Sequence, residues 1–285
     1  MSEHALNAAI AAVDPDDDLV APRKSLWQRW EPHILGAGSI VLLLLVWEIL
    51  PRIFTLSAGT KLFFTTPSKI AGTIWNLFAT GAIWEPLGVS ASGFALGLGL
   101  SIAVGLPLGI LLGRSRMLSA MLDPFITALN ATPRLVFLPL VVLWLGLGLW
   151  SKVVIVFIGA LFPVLINTYE GVRNVDKVLV NVVRAFGAGE WSVARLVVLP
   201  NALPYIVVGI RLAIGRAVLG VVVAEFFGSE AGLGVMMMQA SAKYQVDIVF
   251  AGLIVFAALS LAMTGMVQLI ERRLSRWRPR QIADR

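Results

Sequence analysis

Apolar residues fall into six long blocks along this chain: Ile34 to Leu50, Leu87 to Leu112, Leu135 to Trp150, Val153 to Tyr169, Tyr205 to Phe227 and Ile248 to Ile270. A helix needs about 20 largely apolar residues to cross the hydrocarbon layer of a bilayer. The pattern therefore predicts an all-α membrane protein of six transmembrane helices. The third block is short and carries Pro139, which removes a helix hydrogen bond. The second carries a small residue at every fourth position, Gly93, Gly97, Ser101, Gly105, Gly109 and Gly113. Such a stripe lets another helix backbone come close, where packing replaces the missing hydrophobic drive. Between the first two blocks, Ile70, Ile74, Leu77 and Phe78 recur at helical spacing within Pro67 to Pro86, which predicts a short amphipathic helix at the outer interface.

The loop between the fourth and fifth blocks, Glu170 to Pro204, is far longer than two adjacent helices need. Val175, Val178, Leu179, Val182, Val183 and Phe186 trace one helix face. Asp176 is placed to cap that helix and Gly187 to end it. After the Gly187-Ala188-Gly189 turn, Glu190 opens a second short helix through Val198, which Pro200 and Pro204 are expected to stop.

Six crossings put both termini on one side, and the basic residues say which. Of 23 Lys and Arg, 15 fall on the side of the termini and of the 170–204 loop. Only Arg52, Lys61, Lys69, Lys152 and Lys243 fall opposite, with Arg134, Arg211 and Arg216 in or beside spans. Positive residues stay cytoplasmic, so both termini and the long loop are expected inside. The sequence then divides into a tail at 1–33 with an interfacial segment around Lys24, Trp27, Arg29 and Trp30, a membrane domain at 34–270 and a basic tail at 271–285. Asp14, Asp16, Asp17 and Asp18 in the first tail do not suit a signal peptide.

Composition narrows the chemistry. The chain of 285 residues is 58% hydrophobic and 14% charged, with mean hydropathy +0.85, so lipid is its main solvent. The charge of +6 and pI near 10.1 come from residues beside apolar runs and in the C-terminal tail, which argues for membrane anchoring and against nucleic acid. There is no Cys, and both His, His4 and His33, precede the first block. Thiolate metal sites and Cys nucleophiles are thereby excluded, and no paired imidazole site can form within the membrane part. No G-x-x-x-x-G-K-[ST] string occurs, so no phosphate-cradling loop is expected in this chain.

Two short helices joined at a glycine turn resemble the EAA loop of ABC importer permeases, which docks on the ATPase subunit. Gly187, Val197, Leu199 and Pro200 fall on the matching positions, while Asn181, Val182 and Val183 replace the usual Glu-Ala-Ala. Leu122-Asp123-Pro124, Leu138-Pro139, Asn167 through Arg173, Gly209 through Leu212, Gly215-Arg216-Ala217, and Val223 through Ser229 with Gly232-Leu233-Gly234 extend the likeness. Together they are similar to the permeases of the nitrate, sulfonate, taurine and bicarbonate group of ABC importers. The resemblance implies alternating access, a second permease chain in a homodimer or close heterodimer, two cytoplasmic ATPase subunits that bind ATP and Mg, and an extracytoplasmic solute-binding protein. It also implies an ATPase-coupling loop at Asn181, Arg184, Gly187, Ala188, Glu190, Leu199 and Pro200.

Arg211, Arg216 and Glu225 are the ionisable residues in or at the edge of the fifth block. Either they line a path for anions, or the arginines snorkel and Glu225 reaches the interface. The Met236–Met238 run is expected to pack, and Glu48 to reach the interface. The rival class, an ion-gradient-coupled secondary transporter, would need acidic or His residues at mid-membrane and would leave the long loop unexplained.

Overall fold

The computed structural model describes residues 26–53 and 63–274, so the acidic stretch before residue 22, Lys24 and the last eleven residues lie outside it. The chain forms two compact units, Met1–Leu56 and Ser57–Arg285. In the first, α1 (Leu26–Ile53) is a single helix in which Arg52 pairs with Glu48 one turn earlier.

The second unit contains α2 (Pro67–Ala79), α3 (Trp84–Arg114), α4 (Arg116–Ala131), α5 (Leu138–Leu145), α6 (Leu149–Arg173), α7 (Lys177–Ala185), α8 (Glu190–Val193), α9 (Leu199–Gly228), α10 (Leu233–Ala242) and α11 (Val246–Leu274). Among the described residues five helices are long and apolar enough to cross a membrane. A sixth crossing is reached if the bent pair of α4 and residues 135–145 counts as one span. That pair corrects the third expected helix. The chain turns by 85° between its two halves, because Pro133 cannot continue α4 and extends the backbone. A 3₁₀ turn, Arg134–Phe137, then leads into α5, which at eight residues is only about 12 Å long.

Helices α3, α6 and α9 make the core, with Phe94, Val156, Ala160, Val164, Ala213, Ile214, Ala217 and Val221 buried together. The small-residue stripe is the α3 face against α6. A β carbon on Gly97 would lie 2.5 Å from Val156 Cγ1, and one on Gly109 would lie 2.6 Å from Thr168 Cβ. Ser101 fills its place in the stripe by donating to Gly97 O at 2.7 Å and Phe157 O at 3.0 Å.

The expected stop at Pro200 does not occur. Pro200 has no N–H and its ring crowds the preceding turn, so the helix widens into a π-turn at Ala194–Val198 and continues. Leu199 donates to Ala194 O, five residues back, and Asn201 Nδ2 donates to Val197 O at 2.8 Å. Residues Glu190–Gly228 thus run as 39 helical residues, about 58 Å at 1.5 Å each and roughly twice the hydrocarbon thickness. The surplus lies at the charged end that carries Glu190 and Arg195. Helix α10, absent from the sequence reading, buries Leu233 and Met237 in the core and leaves Met238 exposed.

Candidate functional site

Two polar sites lie at opposite ends of the α3–α6–α9 core. The first is the loop of α7 and α8, beside the last residues of α3 and α6. Asp176 Oδ1 accepts from Val178 N at 2.8 Å and starts α7. At the far end Gly187 N donates to Arg184 O at 2.9 Å and Ala188 N to Val183 O at 3.3 Å, a Schellman closure. Gly187 has φ +80°, where a β carbon is penalised.

Glu190 then braces the loop against the core. Its two carboxylate oxygens meet Arg184 at 2.6 Å and Arg114, the last residue of α3, at 2.5 Å. The Arg184 guanidinium, with help from Arg114, holds the Glu190 carboxyl below the usual glutamate range. Both ion pairs are solvent-exposed, so they set geometry more than stability. A groove of about 440 Å³ beneath the loop is lined by Arg114, Arg173, Lys177, Asn181, Arg184 and Glu190, among others.

The expected apolar face of α7 is only partly covered. Val175 and Val183, joined by Val180, pack on the core cluster of Val172, Val193, Val198, Ala202 and Ile206. Val178, Leu179, Val182 and Phe186 point away, with Phe186 88% exposed, and Trp191 of α8 is 76% exposed.

The second site was missed in part by sequence reasoning. Lys152, read there as a residue of the outer surface, is completely buried, and so is Glu225. Lys152 Nζ lies 2.5 Å from Glu225 Oε1 and donates to Ala231 O at 3.3 Å. Ser90 Oγ reaches Glu225 Oε1 and Oε2 at 2.7 and 2.9 Å and accepts from Leu233 N at 2.9 Å. Gly234 N donates to Glu225 Oε2 at 2.7 Å. Helix α10 starts at a glycine that has no side chain to cap it. Glu225 and Ser90, from α9 and α3, supply that cap instead, with the carboxylate at the positive end of the helix dipole. Glycines make the room. A β carbon on Gly93 would lie 2.3 Å from Lys152 Cδ, and one on Gly232, at φ +136°, 2.2 Å from Glu225 Oε1.

The three charged residues named from the fifth block are therefore not one cluster. Glu225 neither lines an open path nor reaches the interface, because it is consumed by Lys152. Arg211 is half-buried farther down α9. Arg216 donates to Asn130 Oδ1 at 3.3 Å. Asn130 lines a groove of about 450 Å³ with Thr132, Leu135, Ile155, Leu219 and Val223. A signal for the Lys152 pair did exist: Glu225, two residues inside the end of the fifth apolar block, needs a counter-charge, and Lys152 stands one residue before the start of the fourth.

Comparison with known proteins agrees with this architecture. A family model described as a binding-protein-dependent transport system inner membrane component matches residues 105–276. A putative aliphatic sulfonates transport permease protein of Bacillus subtilis (strain 168) is 36% identical over 273 residues, 96% of this chain and 98% of that protein. The taurine transport system permease protein of Escherichia coli (strain K12) is 30% identical over 256 residues, 88% of this chain and 92% of its own length. An inward-facing MetNI methionine ABC transporter shares the fold, with TM-score 0.58 at 20% identity over 67% of this chain and 96% of that one. The chain belongs to the binding-protein-dependent transport system inner membrane components: it is an inner-membrane permease subunit of an ABC importer, a component that works with ATPase and binding-protein partners.

Proposed function

We propose that this permease carries a small anionic solute of the sulfonate, taurine or nitrate type, driven by a separate ATPase that docks on the α7–Gly187–α8 loop. The observation that carries the docking assignment is the uncovered apolar group of Val178, Leu179, Val182, Phe186 and Trp191, braced by Glu190 between Arg184 and Arg114. Asn181 beside it stands where a Glu is usual, and in this reading Glu190 supplies the loop's acidic group. The likeness to sulfonate and taurine permeases supports the substrate class. In the same proposal both termini and the loop face the cytoplasm, the chain pairs with a second copy, and the partner subunits bind ATP and Mg. The chain itself binds no nucleotide, in keeping with its lack of a phosphate-binding loop string.

The test is reconstitution with the ATPase and binding protein in liposomes, measuring uptake of labelled taurine and its competition by alkanesulfonates and nitrate. Uptake should need ATP, the binding protein and Phe186; Phe186→Asp should weaken ATPase association. Uptake driven by an ion gradient without ATP, or stoichiometric ATP binding by the isolated chain, would overturn the reading. Competition by none of these anions would overturn the substrate class alone.

A further inference from the structure

Four cations meet in the groove beneath the α7–α8 loop, and one carboxylate answers them. Arg114 ends α3, Arg173 ends α6, Lys177 starts α7 and Arg184 lies in its last turn. All four line the groove of about 440 Å³, and Glu190 is the one acid among its lining residues. Glu190 is already shared between Arg184 and Arg114. Among the described residues no carboxylate pairs with Arg173 or Lys177. The neighbouring acids are turned to other uses: Asp176 Oδ1 caps α7, Glu170 Oε2 accepts from Asn174 Nδ2 at 3.5 Å, and neither lines the groove. With Glu190 counted as a full negative charge and the ends of α3 and α6 as about −0.5 each, the groove keeps a charge of about +2.

The groove also has the form of a binding site. Arg173 Nη1 donates to Tyr169 Oη at 2.5 Å, and its guanidinium carbon lies 5.7 Å from the centre of that ring. The planar fork is thereby oriented without its charge being consumed. Val172, Val193 and Val198 give the groove a buried apolar floor. A basic rim over an apolar floor, at the ends of two spanning helices, fits the phosphate and glycerol of a lipid headgroup. The cations face each other from two bodies, Arg114 and Arg173 from the frame of α3, α6 and α9, Lys177 and Arg184 from the loop. We propose that this groove binds a phosphate group, supplied by an anionic phospholipid of the adjoining leaflet or by free phosphate, and that the bound phosphate is a second strut, parallel to Glu190, between loop and frame. The inference rests on the α7–Gly187–α8 loop being the element on which the ATPase docks.

The test titrates the purified complex of permease, ATPase and binding protein, held in phosphatidylcholine–detergent micelles, with phosphatidylglycerol and separately with inorganic phosphate, and reads binding by native mass spectrometry. Removing two of the four cations in Arg173→Gln/Lys177→Gln should weaken phosphatidylglycerol binding about 30-fold. The charge-keeping exchange Arg173→Lys/Lys177→Arg should bind as the parent does, which separates lost charge from lost folding. Arg116→Gln removes a cation that follows α3 but does not line the groove, and it should leave binding unchanged. In liposomes, ATP hydrolysis by the parent complex should be stimulated when phosphatidylglycerol is added to phosphatidylcholine, and the Arg173→Gln/Lys177→Gln complex should lose that stimulation.

Phosphatidylglycerol binding that the glutamine pair loses, with no binding of inorganic phosphate, assigns the lipid as the source. Saturable phosphate binding lost in the same variant assigns the soluble anion. Binding of neither, binding that survives the glutamine pair, or an equal loss with Arg116→Gln would overturn the site, the last because it reports diffuse surface charge. Site-specific binding without any effect on hydrolysis would overturn the strut. A complex that never hydrolyses ATP in any lipid fails the function proposed above, while the titration still reads the groove.

Discussion

Removing one member of the Lys152–Glu225 pair should be far more damaging than removing both. At 2.5 Å and an effective dielectric of about 20, the Coulomb attraction is about 6–7 kcal/mol. Desolvating the two ions costs several kcal/mol each, so the intact pair is close to break-even. Breaking it is another matter. Lys152→Met leaves the Glu225 charge with only Ser90 Oγ and Gly234 N as partners, and Glu225→Gln leaves a buried ammonium with Ala231 O. Each single variant should lose about 3–5 kcal/mol. The double variant carries no stranded charge, Met matches the length of the lysine stem beside Gly93, and Gln still accepts from Gly234 N. It should lose only about 1–2 kcal/mol, an interaction energy of at least about 4 kcal/mol in a double-mutant cycle. Equilibrium unfolding in mixed micelles, followed by tryptophan fluorescence, measures all four corners. Additive losses, or single losses below about 1 kcal/mol, would refute the claim that this buried pair is coupled and holds the frame together.

Gly97→Ala should destabilise the same protein by about 1–3 kcal/mol, since its β carbon would meet Val156 Cγ1 at 2.5 Å and Val153 O at 3.0 Å. Gly99→Ala, with nothing within 4 Å, should be neutral or stabilising in that unfolding assay. Gly187→Val has room for its side chain but not for φ +80°, so it should strain the turn by about 1 kcal/mol or more. Expression should be kept and ATPase pull-down weakened. Glu190 has its pKa lowered by Arg184 first and then Arg114, so the brace is complete above the ordinary glutamate range and is lost only as pH falls through the lowered value. ATPase association should be flat from neutral pH down to that range in the parent chain, while Glu190→Gln should be weak at every pH.

Much of this architecture was legible in the sequence, because a bilayer leaves few options. A span must satisfy its own backbone hydrogen bonds, so apolar block length alone marked α3, α6, α9 and α11 as crossings. The Gly93–Gly113 stripe named the buried face of α3, since only a β-carbon-free surface admits α6 so closely. Asp176 and Gly187 marked the ends of α7 because capping is a local matter.

What the sequence could not decide depended on partners distant along the chain. Pro139 marked the third block as irregular, but the extended backbone at Pro133 where the chain turns by 85° lies ahead of that block, and the buried residues of α5 find their partners on α6 and α9. Pro200 read as a stop, yet the π-turn and Asn201 absorb it and the helix runs on. Lys152 and Glu225 are 73 residues apart, and each alone reads as an interfacial charge. Only the close approach of α6 to α9, across glycines contributed by α3 and by the start of α10, makes them one buried neutral pair. Electrostatic solvation depends on the full three-dimensional surroundings of a charge, and those surroundings do not exist until the helices have packed.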